Sequence, residues 1–140
     1  MTDMADQSIP VSTLTALTFE TETFDVGGMH DSDINPSRIT IPPNGDGVYI
    51  VGANVHWNAM AGLSSRSVGI RLNSGNLISD TLLHVTGVGA FDFNMLTSCS
   101  WNFVAGDFIE VVVFQDTISA VDISSDADTS PIFWAQRLSD

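Results

Sequence analysis

Residues 66–73 set the pattern that recurs along the chain. Val68, Ile70 and Leu72 alternate with Gly69, Arg71 and Asn73, the period of a strand with one face in a core and the other in solvent. Apolar, β-branched and aromatic runs of this kind are separated by clusters of Gly, Pro, Asn, Asp and Ser, and no window holds a helical spacing. The pattern predicts strands near 12–19, 37–42, 47–57, 66–73, 76–85, 90–97, 100–104, 107–115, 117–123 and 131–138. Residues 1–10, polar and closed by Pro10, read as a flexible N-terminal arm ahead of one domain over 11–140. In the stretch Pro42-Pro43-Asn44-Gly45-Asp46-Gly47 the prolines end one strand, and the glycines supply the positive φ of a turn.

Two runs break the alternation. Residues 48–57 (VYIVGANVHW) and 108–114 (FIEVVVF) carry apolar side chains on both faces. An antiparallel strand apolar on both sides needs cover on both, and one domain has one core, so the expected second cover is another subunit. A loop or the N-terminal arm lying over these strands is the alternative.

A chain of 140 residues buries enough surface to fold without a disulfide or a metal. The lone Cys99, set in Thr97-Ser98-Cys99-Ser100-Trp101, reads as a small buried hydrophobe. Charge sharpens the picture more. Four arginines and no lysine face seventeen carboxylates, a formal net charge of −13. Such a surface repels phosphate backbones and anionic membranes, which disfavours nucleic-acid binding. No apolar run reaches the length of a membrane span, and the N-terminus lacks the basic and apolar regions of a secretory signal.

The ordered segments Phe24–Asp31 (FDVGGMHD), 35–51 (NPSRITIPPNGDGVYIV), 70–76 (IRLNSGN), 103–115 (FVAGDFIEVVVFQ) and 130–138 (SPIFWAQRL) resemble the globular head of complement C-one-q and the related tumour necrosis factor-like jelly rolls. Within that group, FDVGGMHD followed by NPSRITIP and GVYIVGANVHW looks like the form found in virion proteins of tailed bacteriophages. The resemblance implies an all-β, antiparallel two-sheet jelly-roll sandwich of about ten strands that forms homotrimers about a threefold axis. Tyr49, Val51, Val55 and Trp57 of the first two-faced run, and Phe108, Val112 and Phe114 of the second, are the trimer-interface candidates. The pattern leaves open whether the row Tyr49-Val51-Ala53-Val55-Trp57 or the row Val48-Ile50-Gly52 faces the axis. No collagen stem, coiled coil or fibre shaft is expected ahead of the domain, and the PPNGDG turn is longer than is usual in the family.

Candidate chemistry is sparse. His30, His56 and His84 are too far apart in sequence for a local zinc motif. Ser64-Ser65 and Ser124-Ser125 lack a nucleophile-elbow pattern, and no glycine loop has the lysine of a phosphate cradle. No catalytic constellation emerges, so an enzyme is not expected, and no cofactor is implied. Asp126 and Asp128 in the run DISSDADTS, with Asp122, and Asp31 and Asp33 in HDSD, present hard oxygen ligands on loops. Weak calcium binding by Asp126 and Asp128 is the one metal expectation. Around the segment 24–38, Arg38 is expected to pair with a nearby carboxylate, with Asp25, His30 and Asp31 fixing the loop.

Together these features lead to the expectation of a capsid decoration or cement protein: trimeric, made in the host cytoplasm without a signal peptide, and placed on the outer head surface of a phage. Its expected partner is the major capsid protein, gripped by the N-terminal arm through Met4, Ile9 and Pro10. The alternative is the head of a fibre or spike that binds a host-surface glycan or receptor. Trp57, Trp101 and Trp134 are its candidate stacking residues, although their place in or beside strands favours packing.

Overall fold

The computed structural model describes residues 6–60, 62–86, 90–126 and 128–139. Among them there is no helix. Ten strands run β1 (Gln7–Ile9), β2 (Thr15–Ala16), β3 (Arg38–Thr40), β4 (Gly47–Trp57), β5 (Ser64–Leu72), β6 (Leu77–Val85), β7 (Phe93–Phe103), β8 (Phe108–Gln115), β9 (Val121–Ile123) and β10 (Ile132–Ser139). They form two antiparallel sheets packed face to face, an all-β sandwich compatible with a jelly roll. In the first sheet β4 is central, flanked by β7 on one side and by β10 and the end of β9 on the other, with β1 beyond β9. In the second, β8 lies between β5 and the short pair β2 and β3, and β6 closes the far edge.

Alternation explains the core. Tyr49, Val51, Ala53, Val55 and Trp57 of β4 point inward and meet Val68 and Ile70 of β5 and Ile109, Val111 and Val113 of β8. Two aromatic contacts fill this interior: the Phe19 and Phe133 rings lie 5.6 Å apart, and Tyr49 of β4 meets Phe103 of the neighbouring β7 edge to face at 5.7 Å. At the rim between β6 and β7, Thr81 Oγ1 donates to the Leu96 carbonyl at 2.8 Å, and Ser79 and Thr97 share a hydroxyl bond.

Three expectations change. Residues 7–9 do not form a flexible arm. They pair with β9, and Ile9 is fully buried. The Gln7 amide reinforces this by donating to the Thr18 carbonyl and accepting from the Thr18 N–H. The free edge of β9 offers backbone partners, and Ile9 adds apolar area to the core, which together outweigh the local polarity of the segment. Residues 90–97 and 100–104, read as two strands, are one strand, β7. Ser98 and Cys99 look like turn residues, yet they sit directly across from Gly52 and Val51 in an unbroken ladder. Finally, the turn after Pro42 is closed by Gly45 N–H donating to the Pro42 carbonyl at 2.9 Å. Asn44 takes the left-handed conformation at φ 63°, the sign a type II turn has at its third residue, while of the glycines Gly47 supplies a positive φ, at 145°. Gly45 is needed for space instead, because a Cβ there would lie 2.8 Å from the Pro42 oxygen.

Candidate functional site

Which face of each two-faced strand lies free is settled by burial. Tyr49, Val51, Val55 and Trp57 are all 3% exposed or less and belong to the sandwich interior. These four interface candidates are therefore core residues, because the single inward face of β4 is filled by its own domain. The second run is also covered largely from within. Val112 is buried, and the Arg38 guanidinium lies 3.9 Å over the Phe108 ring, the stem of a long cation sheltering apolar surface. Phe114 is half-buried.

Glu110 accounts for much of that cover. It sits on the outer face of β8 between its cross-strand neighbours Arg38 on β3 and Arg71 on β5. Arg71 Nη2 donates to Oε2 at 2.8 Å, and Ser37 Oγ and Arg38 Nε donate to Oε1 at 3.1 and 3.4 Å. Burial by itself would raise the Glu110 carboxyl; the bonds from Arg71, Ser37 and Arg38, with the Arg71 charge, outweigh it and hold the group below the usual carboxylate range. The Arg38 partner is thus a strand residue 72 positions away and not a carboxylate of the 24–38 loop. That loop is secured differently. Asp25 accepts from the N–H groups of Gly27 and His30, and the His30 ring nitrogens lie 2.8 and 3.0 Å from the carbonyls of Arg38 and Phe19.

The first sheet turns its other face away from the core. On β4 it carries Val48, Ile50, Gly52, Asn54 and His56; across from them β7 presents Asn102, Ser100, Ser98, Leu96 and Asn94, and β10 presents Ile132, Trp134 and Gln136. None of these is Asp, Glu, Lys or Arg, in a chain with a net charge of −13. Ile50, Leu96 and Ile132 are 36%, 57% and 44% exposed. Trp134 stands opposite Gly52, its ring lying over the bare Cα so closely that a Cβ would be 2.1 Å from Cζ2.

Beside this face a groove of about 640 Å³ separates β10 from the 24–29 loop and the Pro42–Gly45 turn. Phe24, Met29 and Trp134 supply apolar walls, and Asp25, Asn44, Gln136 and Arg137 supply polar groups. Of the other candidate aromatics, Trp57 is in the core, and Trp101, 40% exposed, is on β7, across β4 from β10.

Asp126 and Asp128 are exposed, and the Asp126 carbonyl accepts from the N–H groups of Thr129 and Ser130. Among the described residues no three His, Cys, Asp or Glu side chains gather into a metal-sized cluster. Met4 lies outside the described residues; Pro10 is exposed just after buried Ile9. Cys99 is half-buried, and burial pushes its thiol pKa up. The Glu110 cluster escaped the sequence reading, although each contributing strand carries one charge in an apolar run: RITI, GIRL and FIEVV.

No protein-family model matches the chain, and no curated protein matches it.

Proposed function

We propose that the chain is a homotrimeric jelly-roll protein of a tailed-phage virion, decorating the outer head surface and contacting the major capsid protein. One observation carries the trimer: the outer face of β4, β7 and β10 bears no charged side chain, although the chain holds seventeen carboxylates. Self-association of so acidic a chain requires a patch where copies meet without opposed carboxylates, and exposed Ile50, Leu96 and Ile132 give that patch its apolar area. The strand order, with β10, β4 and β7 in one sheet and β3, β8, β5 and β6 in the other, supports the tumour necrosis factor-like reading. The virion assignment rests on the sequence resemblance. Light scattering combined with co-sedimentation on purified phage heads tests both parts. A trimer that pellets with heads is the expected result; a monomer at micromolar concentration removes the first part, and a trimer that ignores heads removes the second.

The groove favours a second reading, the glycan-binding head of a fibre or spike. An aromatic wall with amide and carboxylate groups at its rim is the chemistry that stacks on a sugar ring and bonds its hydroxyls. Quenching or shifting of tryptophan fluorescence by host-surface glycans, lost in Trp134→Ala, is the outcome that supports it.

A further inference from the structure

Arg66 is fully buried on the inward face of β5, on the same side as Ser64, Val68 and Ile70. Its Nη1 donates to the Asn58 carbonyl at 3.0 Å, and its guanidinium lies 4.9 Å from the Phe93 ring and 5.5 Å from the Trp57 ring. These rings shelter the faces of the cation. Among the described residues the in-plane Nε–H has no acceptor, and neither does the indole Nε1–H of Trp57, whose ring flanks the guanidinium; the buried Ser64 hydroxyl, two residues along β5, is also unpartnered there. Buried polar groups are nearly always bonded, and a buried cation without a counter-charge is among the costliest arrangements in a fold.

Among the described residues no neighbouring side chain relieves this. Gln115 lies directly across from Arg66, but its Oε1 already accepts from the N–H and hydroxyl of Thr117, and its amide donates to Ile9 and Ser119. Asp116 and Asp92 are exposed and accept from the N–H groups of Ser65 and Ala59. Glu110 is committed to Arg38 and Arg71 on the opposite face of its sheet.

We propose that Arg66, Trp57 and Ser64 form a buried site for one small monovalent anion of the chloride or bromide type. All three groups can donate and one is positively charged, so the matching occupant accepts hydrogen bonds and carries negative charge. A water molecule satisfies the first requirement and not the second. The aromatic surroundings favour a polarisable, weakly hydrated halide over fluoride or sulfate, which hold their water too strongly to enter. The anion is then part of the folded core, and its binding adds to stability as any ligand of the native state does.

Thermal unfolding of the full chain in sodium chloride, bromide or fluoride at matched ionic strength tests this. Chloride and bromide are expected to raise the midpoint saturably, by roughly 5 °C when the site is filled, and fluoride is not. Trp57→Phe keeps an aromatic side chain and removes the N–H, and Ser64→Ala removes the hydroxyl; each is expected to weaken the apparent halide affinity, read from the chloride concentration that gives half the midpoint shift, by about tenfold, whatever the variant's own midpoint in fluoride. Crystals grown in bromide are expected to give an anomalous peak within hydrogen-bonding reach of Arg66 Nε. Superposable chloride and fluoride curves, or bromide crystals with no anomalous peak at Arg66, would overturn the proposal.

Discussion

At the scale of single residues, Glu110 and Gly52 stand out because each resolves a conflict created by its neighbours. Glu110 lets two arginines lie along an apolar strand, and its low carboxyl pKa has a sign that can be checked. A carboxyl whose folded pKa lies below its unfolded value of about 4.3 stabilises the fold above that pH, and the contribution fades as pH falls through the folded value. Glu110→Gln is expected to lower the unfolding free energy by about 2 kcal/mol at pH 7. Urea titrations of both proteins should converge as pH falls below the folded-state value of Glu110. At Gly52 the constraint is steric. Gly52→Ala drives a methyl group into the Trp134 ring, a clash expected to cost about 1–3 kcal/mol. Trp134→Leu should relieve most of that penalty, so a double-mutant cycle in denaturant should show strong coupling between the two sites.

For whole elements, β4 is the informative case, since its two rows have separate fates. The row from Tyr49 to Trp57 fills the sandwich, and Ile50 looks outward. Tyr49→Asp buries an unpaired carboxylate and is expected to abolish folding, seen as loss of the near-ultraviolet circular dichroism and of a cooperative melt. Ile50→Asp should melt within a few degrees of the parent but run as a monomer by light scattering, because it places like charges on the proposed interface. Normal assembly of that variant would move the interface to another surface. The β8 run makes the complementary point. Its two-sided apolar pattern resembles that of β4, yet Arg38 covers Phe108 and Val112 is enclosed, so it needs no partner for most of its length.

For the molecule as a whole, the charged side chains are kept off one face of β4, β7 and β10. Copies carrying −13 each repel at long range even when their contact patch is neutral. Screening this repulsion should strengthen assembly, so sedimentation equilibrium is expected to show the proposed trimer growing tighter between about 20 and 200 mM monovalent salt, where the screening length contracts from roughly 20 Å to below 10 Å. An interface built on ion pairs would weaken over the same range. Fluoride as the added anion keeps this measurement separate from halide binding at Arg66.

Local pattern determined a large part of this protein. Period-two alternation and turn residues placed most of the strands and assigned the class, because the side-chain period and the conformations allowed to Gly, Pro and Asn are properties of the chain itself. Even the inward direction of Arg66 is implicit in its alternation with Val68 and Ile70. Tertiary structure alone decided which row of β4 is interior, that β1 docks on β9, and that Glu110 pairs with Arg38 and Arg71. Each of these joins residues far apart in sequence. Burial and ion pairing depend on what lies opposite in space, and a strand pattern records only that something must.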